Sequence, residues 1–449
     1  MTSPSRRDFA LATVSSMATL TSLSMATECS PNESPHHSAT GASLKDPLRV
    51  GVIGTANRGG QLIDALLEIR EAQIVALCDV DQLALDKAQA KLPKRVDQVE
   101  DFRRLLDRKD IDAIVIATPD HWHAIQMVEA CKAGKDVYVE KPLSVTIHEG
   151  RTMVQVARKY QRVVQVGTHR RSSPLYQKMT SQVAEGLLGK VTVARAYRVS
   201  NMAPYGIGRK KPSPPPKTLQ WDLWLGPRAE QPYQENIAPY KFRWWQNYSS
   251  QMGNWGVHYL DAIRWCLREE APTSVCAMGG NFAVDDDRTI PDTMESCFQF
   301  KSGRLAIFGQ YEASGTPVLE KGDIELRGTE GTMLLGERNY EIYPSKAGQF
   351  SSAKSKLKPT VEEDTTATNH SLTVLHMRNW IECIQTRSQP NADIEIGHRS
   401  TSFSHLANIS LALGRRLQWD PEKELFVGDD QANTMLHYEY RSPWKLSLS

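Results

Sequence analysis

From Leu48 onward, short apolar runs alternate with segments whose apolar positions recur at helical spacing. LRVGVIG, QIVALCDVD, IDAIVIATP, DVYVEKP and RVVQVGTH read as strands. RGGQLIDALLEIR, LALDKAQAKL, FRRLLDRKD, HAIQMVEACKAG and HEGRTMVQVARKY read as the helices between them. Strand and helix in strict alternation predict a parallel sheet covered by helices on both faces, the doubly wound Rossmann arrangement. The pattern then changes. KVTVARAYRVS, SVCAMGGNFAV, ESCFQFKSGRLAIFGQYEA, GDIELRGTEGTMLLG and YEIYP have strand composition, with turns at Lys-Ser-Gly and Thr-Glu-Gly. They predict an open mixed or antiparallel sheet built from hairpins. An irregular, aromatic-rich stretch holding PSPPP, about 201–252, separates them, and helical patterns at 371–386 and 398–416 follow. The expected fold is α/β, with a Rossmann domain over 47–168 and a C-terminal α+β domain over 169–449.

The first residues depart from this pattern. Ser5-Arg6-Arg7-Asp8-Phe9 followed by a weakly apolar Ser/Thr-rich segment resembles a twin-arginine export signal over 1–26, and 27–46 reads as a polar linker. The segment is too short and too polar to span a bilayer. Export to the periplasm is the expectation. A lipid anchor through Cys29 and a plain N-terminal tail are the competing readings.

Composition narrows the function. The 449 residues carry a net charge of +2 with no basic block, which argues against nucleic acid or an anionic membrane as partner. Seven dispersed cysteines with no CxxC pair argue against a disulfide framework and against zinc. His121 and His123 form an HxH pair without a third ligand nearby, so no metal is expected.

GVIGTANRGG follows an apolar strand and opens a helix, the context of a dinucleotide-binding turn. The G-x-G-x-x-G pattern falls on Gly54, Ala56 and Gly59, with alanine at the middle position. Thr55, Asn57 and Arg58 complete the turn that would face a pyrophosphate through its backbone N–H groups and the helix N-terminus. Asp79 ends the second strand, where a carboxylate hydrogen-bonds an adenosine ribose and favours NAD, with NADP not excluded. Asp81, two residues on, competes for the role. Glu140-Lys141-Pro142 ends a parallel strand, at the edge where open α/β sheets bind ligands. A desolvated lysine there has a lowered pKa and is suited to hold or relay the proton of a reacting hydroxyl. Asn254, His258 and Asp261 are spaced to share one helix face. Asn254 suits a helix N-cap as well as an active site, and Asp261 suits an i,i+3 pair with Arg264. His169 and Arg171 follow the fifth strand and are candidates for substrate hydroxyls or carboxylates. Trp244 and Trp245 suit either stacking on a sugar or an apolar core.

GVIGTANRGG, IATPDHWHAIQMVEACKAGKDVYVEKPLS, QVGTHRRS and MGNWGVHYLDAIRW together resemble the Gfo/Idh/MocA oxidoreductase family, and TPDHWH, AGKDVYVEKPL and WDLWLGP resemble a branch of it rich in exported members. The resemblance implies NAD(P)-linked redox chemistry on sugars, polyols and related molecules, and oligomers formed through the C-terminal sheet. It implies that Lys141 and His258 are catalytic, with Asn254 where the family has aspartate. It also implies that Thr118, Pro119 and His123 border the cofactor, with Glu140 touching the cofactor or orienting Lys141. Two other readings stay open. One is a glycoside hydrolase that uses its nicotinamide transiently, by oxidation and elimination; the other is a cofactor-binding protein without turnover.

Overall fold

The computed structural model describes residues 46–448 except 351, 353 and 365–368. The export signal, Cys29 and all but the last residue of the linker lie outside the described residues. The first sheet consists of β1 (Leu48–Ile53), β2 (Ala72–Cys78), β3 (Asp97–Val99), β4 (Ala113–Ile116), β5 (Asp136–Val139) and β6 (Val164–Val166), in the order β3-β2-β1-β4-β5-β6 and parallel throughout. Helices α1 (Arg58–Leu67), α2 (Gln82–Gln89), α3 (Phe102–Leu106), α4 (His123–Lys132) and α5 (Ile147–Lys159) connect them. Each predicted strand is present because both of its faces are buried, which a continuous apolar run allows. The sixth strand, β3, escaped the sequence pattern. Asp-Gln-Val has no apolar run, and only its pairing with Ala76–Cys78 makes it a strand.

After α6 (Pro174–Ala184) comes an eleven-stranded sheet. Its strands are β7 (Val191–Asn201), β8 (Ser274–Gly280), β9 (Thr293–Gln299), β10 (Leu305–Tyr311), β11 (Ala313–Ser314), β12 (Ile324–Gly328), β13 (Gly331–Leu335), β14 (Asn339–Pro344), β15 (Thr360–Glu363), β16 (Leu417–Asp420) and β17 (Leu425–Phe426). The order is β15-β14-β13-β12-β7-β10-β9-β8-β16-β17, with β11 paired to β7 alone. Only the central β7–β10 pair is parallel, so the sheet is mixed. The irregular stretch contains the short helix α7 (Trp221–Leu225) and its own apolar cluster, with Trp224, Ile237, Phe242 and Tyr248.

Besides the short α11 (Asp430–Thr434), three helices complete the packing of the described residues: α8 (Val257–Leu267), α9 (Asn369–Thr386) and α10 (Ile394–Leu413). The last two return to the first sheet. Met377, Trp380 and Ile381 of α9 share a core with Leu62, Leu66 and Tyr138. Ile394 of α10 shares one with Val164 and Val166. The chain therefore finishes the Rossmann core with residues more than two hundred positions after it. These burials hold α10 against β6, and the loop after β5 meets the turn before α8 through Lys141, which sets the site.

Candidate active site

The turn after β1 is shaped by close backbone approach. Gly54 has φ +82°, and a Cβ there would lie 2.6 Å from the carbonyl carbon of Ala117, so only glycine fits. A Cβ on Gly59 would lie 1.9 Å from the Gly54 oxygen. Ala56 lines the wall of a groove. Gly54, Ala56, Asn57, Arg58, Asp79, Thr118 and Pro119 of the expected cofactor residues line this groove. Its glycine cradle and a strand-end carboxylate fit a dinucleotide. Asp79 also supports the turn: its Oδ2 accepts from the Thr55 N–H at 2.7 Å and from the Thr55 hydroxyl at 3.1 Å. Burial raises its pKa, against the pull of these bonds. Asp81 is taken by α2, which it caps through the N–H of Leu83.

Four of the expected cofactor residues, Thr55, Gly59, His123 and Glu140, do not line the groove. Thr55 is buried and turned to Asp79, and Gly59 packs beneath Gly54. His123 is wholly buried, and its two ring nitrogens sit 2.9 Å from Thr118 O and 2.8 Å from Pro142 O. It ties the loop after β4 to the loop after β5. Glu140 is buried below the turn, where its Oε1 accepts from Arg58 Nε at 2.7 Å. Burial opposes the Glu140 charge, but Arg58 and then Lys141 outweigh it and lower its pKa. His121 bonds Trp224 O, and burial pushes its pKa down to about 3. Among the described residues no cluster of metal-ligating side chains occurs.

Lys141 follows Glu140 and points to the turn before α8. Its Nζ donates to Asn254 O at 2.8 Å and Asn254 Oδ1 at 3.1 Å. Burial is the main cause that lowers its pKa to about 8; Glu140 and Asp120 resist. Asn254 is not a helix cap: it lies inside a π-type turn, Met252–Gly256, that runs into α8. The wider turn aims its side chain into a relay. Asn254 Nδ2 donates to Gln251 Oε1 at 3.1 Å, and Gln251 Nε2 donates to Glu312 Oε1 at 2.8 Å. Glu312 also accepts from Trp244 Nε1 at 2.9 Å and from Arg288 at 2.7 Å. Lys141 is thus joined through two amides to a carboxylate that Asn254 itself lacks. Asn254, Gln251, Glu312 and Trp244 line a second cavity of about 790 Å³, which shares Asn57, Arg58 and Arg243 with the groove.

His258 sits on the first turn of α8, its ring centroid 5.6 Å from that of His169. Burial, then the charges of Lys141 and His169, hold its pKa well below the usual imidazole value, so it is neutral near pH 7. His169 is likewise lowered by burial, and its buried Nδ1 makes no hydrogen bond.

Asp261 and Arg171 are not brought to this centre. Arg171 donates to both carboxylate oxygens of Asp261 at 2.8–3.0 Å, and Ser400 adds a third donor at 2.5 Å. Arg264 lies 4.0 Å away, so the expected i,i+3 pair is the minor partner. The two tryptophans divide: Trp244 lines the second cavity, and Trp245 is buried with its Nε1 on Asn236 O. Gln251, Glu312, Arg288 and Arg198 were not singled out from the sequence. Arg198 alone left a signal, a charge on the β7 face that also carries Ala194 and Ala196, both wholly buried.

Comparison with known proteins agrees with the fold. "Oxidoreductase family, NAD-binding Rossmann fold" matches residues 48–168, and "Oxidoreductase family, C-terminal alpha/beta domain" matches 175–446. A glycosyl hydrolase family 109 protein of Solibacter usitatus is 39% identical over 137 residues, 28% of this chain and 31% of that protein. One from Shewanella sp. strain W3-18-1 is 32% identical over 155 residues, 32% of this chain and 34% of that protein. The chain therefore matches only about a third of the length of these relatives. A levoglucosan dehydrogenase in complex with NADH and levoglucosan superposes with a TM-score of 0.64 at 15% identity, over 86% of this chain and 100% of that one. A scyllo-inositol dehydrogenase from Lactobacillus casei gives 0.61 at 19% identity, over 83% and 99%. At these identities the likeness is one of fold.

Proposed function

The chain belongs to the Gfo/Idh/MocA oxidoreductase family, with its NAD-binding Rossmann fold, and from that premise we propose that it interconverts a carbinol and a carbonyl on a sugar or polyol. The observation that carries this reading is Lys141. It is a buried amine with a pKa of about 8, at the carboxyl end of β5, joined to Asn254 in the wall of the second cavity. Gly54, Asn57, Arg58 and Asp79 would hold NAD in the groove. Bound there, NAD would supply the hydride acceptor for oxidation and, reduced, the hydride donor for reduction. Neutral Lys141 accepts the hydroxyl proton during oxidation, and its ammonium gives the proton back during reduction. Asn254 and Gln251 keep the amine aimed, and neutral His258 supplies a second donor or acceptor for the substrate oxygen. The Asp79 carboxylate is poorly matched to a ribose phosphate, which supports NAD over NADP.

The test is the absorbance spectrum of the purified full chain. Reduced nicotinamide should form, in stoichiometric amount or with turnover, when NAD is present and sugars or polyols are added. Protein that neither carries nor binds NAD would sink the reading, and bound NAD that no sugar reduces would leave a binding protein. The pH dependence has a definite sign. Below pH 8 Lys141 is protonated, so oxidation should slow tenfold per pH unit lost and level off above about 8. Reduction should show the reverse, falling above about 8.

A second reading rests on the family 109 relatives and on the paired imidazoles. Oxidation, elimination of the aglycone and return of the hydride need separate groups for the C–H proton and the leaving group. His169 and His258 beside Lys141 supply them. Release of free sugar from a glycoside with no net NADH would favour it.

The twin-arginine pattern over 1–26 supports export to the periplasm with the cofactor already bound, a lipid anchor at Cys29 being the lesser reading. Met278 and Phe282, on and beside β8, are strongly exposed, which supports a homo-oligomer through the large sheet.

A further inference from the structure

We propose that the substrate of this site is an acid: a sugar or polyol bearing a carboxylate, bound by Arg198. The inference rests on the redox reading above and names its substrate class.

The charge balance of the second cavity is the starting observation. Three arginines, Arg58, Arg198 and Arg243, line it, against one carboxylate, Glu312. Arg58 is paired with Glu140 below the turn. Glu312 is not offered to a ligand. It is 3% exposed, and its two oxygens already accept from Gln251, Trp244 and Arg288. Arg288 is itself bound to Asp286 on its other edge at 2.9 Å. Arg288 is thus shared by two carboxylates and the trio keeps one net negative charge, against the two positive charges of Arg198 and Arg243, so the cavity keeps a small surplus of positive charge. Among the described residues neither Arg198 nor Arg243 makes an ion pair. Arg243 stacks on Tyr240 and Phe242, donates to Tyr240 O, and lines the groove as well, so a dinucleotide competes for it.

Arg198 does not line the groove; it lines the second cavity and a smaller neighbouring one. Its guanidinium carbon lies 3.7 Å from the centre of the Trp255 ring, which holds one face of the planar group; the Tyr259 hydroxyl accepts from one of its N–H groups, and the other edge is left for a ligand. Asp323 feels its charge but sits against Arg170, at 3.9 Å. The position is also fixed by the sheet. Residues 194, 196, 198 and 200 share one face of β7 by strand alternation. Ala194 and Ala196 are small and wholly buried in the core that includes α8, whereas Arg198 and Ser200 open into the cavity. A guanidinium on a rigid central strand, supported by an indole and without a carboxylate partner, is suited to bidentate recognition of a carboxylate. Such a group loses little conformational freedom when it binds. A neutral sugar would leave the charge uncompensated as the cavity closes on it.

Matched pairs test this on the full chain loaded with NAD: D-glucuronate against D-glucose, D-galacturonate against D-galactose, and D-gluconate against D-glucitol. Two readouts are used, quenching of tryptophan fluorescence for binding and formation of NADH for turnover. At least one acid should bind tenfold tighter than its neutral partner, with an affinity that falls as salt is raised. Arg198→Met should weaken binding of the acid at least tenfold and remove the preference, and Arg198→Lys should restore part of it. Equal or tighter binding of every neutral partner, or an Arg198→Met protein that binds the acid unchanged, overturns the inference. Turnover of neutral sugars alone does the same while the redox reading stands. An acid that binds through Arg198 but is never oxidised keeps the carboxylate-binding role of Arg198 and overturns the redox reading, and with it the assignment of the acid as substrate.

Discussion

Lys141→Met is expected to lower kcat/KM for carbinol oxidation by about a thousandfold, the range for loss of a positioned acid–base group. NAD affinity should change little, because the Lys141 side chain is turned to Asn254 and is not part of the groove wall. The variant should also be at least as stable as the parent near pH 7. The fall of the Lys141 pKa from 10.5 to about 8, caused first by burial, corresponds to about 3 kcal/mol against the folded state. Methionine removes that cost and gives up two hydrogen bonds to Asn254, worth about 1–2 kcal/mol. The sign with pH follows from linkage. The folded pKa lies below the unfolded one, so the cost is present in full below pH 8 and fades between about 8 and 10.5. Urea unfolding of both proteins should thus show the methionine variant ahead at pH 7 and the gap closing by pH 10. A variant that keeps its oxidation rate would remove Lys141 from the mechanism. One that is several kcal/mol less stable at pH 7 would show that the amine is not a buried charge.

Asp261→Leu is expected to cost about 3–5 kcal/mol of stability, the effect of breaking a buried ion pair. The aspartate accepts from Arg171 through both oxygens and from Ser400. Arg264 is close by, and burial followed by the Arg171 charge pushes its pKa down to about 10. Without Asp261 the buried Arg171 loses its acid, and Arg264 keeps only the exposed Glu270 at 3.3 Å. Adding Arg171→Met to the same chain should recover most of the loss, because the uncompensated charge leaves with it. The measurement is the denaturant midpoint of the two single variants and the double. NAD binding and the pH profile should hold in whatever fraction remains folded. A stable Asp261→Leu protein with lost activity would return Asp261 to the active site and contradict the pairing described above.

The helix-face argument from spacing put Asp261 beside His258, and its failure is informative. Spacing says which residues share a side of a helix, but not what the helix is packed against. Arg171, ninety residues earlier on the other wall, decided that Asp261 is a structural acid. Asn254 failed as a cap for a related reason. The turn before α8 is a π-type turn whose geometry depends on the packing of Met252 and Gly256 into the sheet, and local propensity does not encode it. His123 and Glu140 were found by motif, yet both act from behind the groove, one through two carbonyl oxygens and the other through Arg58.

Local pattern by itself determined five of the six strands of the first sheet and the helices between them, the glycine turn and its strand-end carboxylate. It also determined the place of Lys141 at the end of β5. Each of these depends on contacts within a few residues or on burial of both sheet faces, and both leave a periodic trace in the chain. Tertiary structure alone decided the partner of Lys141, the relay from Asn254 through Gln251 to Glu312, and the separation of Asp261 from the site. It alone gathered three arginines around one buried acid. Those outcomes join residues from β5, the turn before α8, the end of β10 and the middle of β7. Hydrogen bonds and charges act through a few ångströms of space, so their partners are chosen by how the two sheets and their helices pack, which no spacing along the chain records.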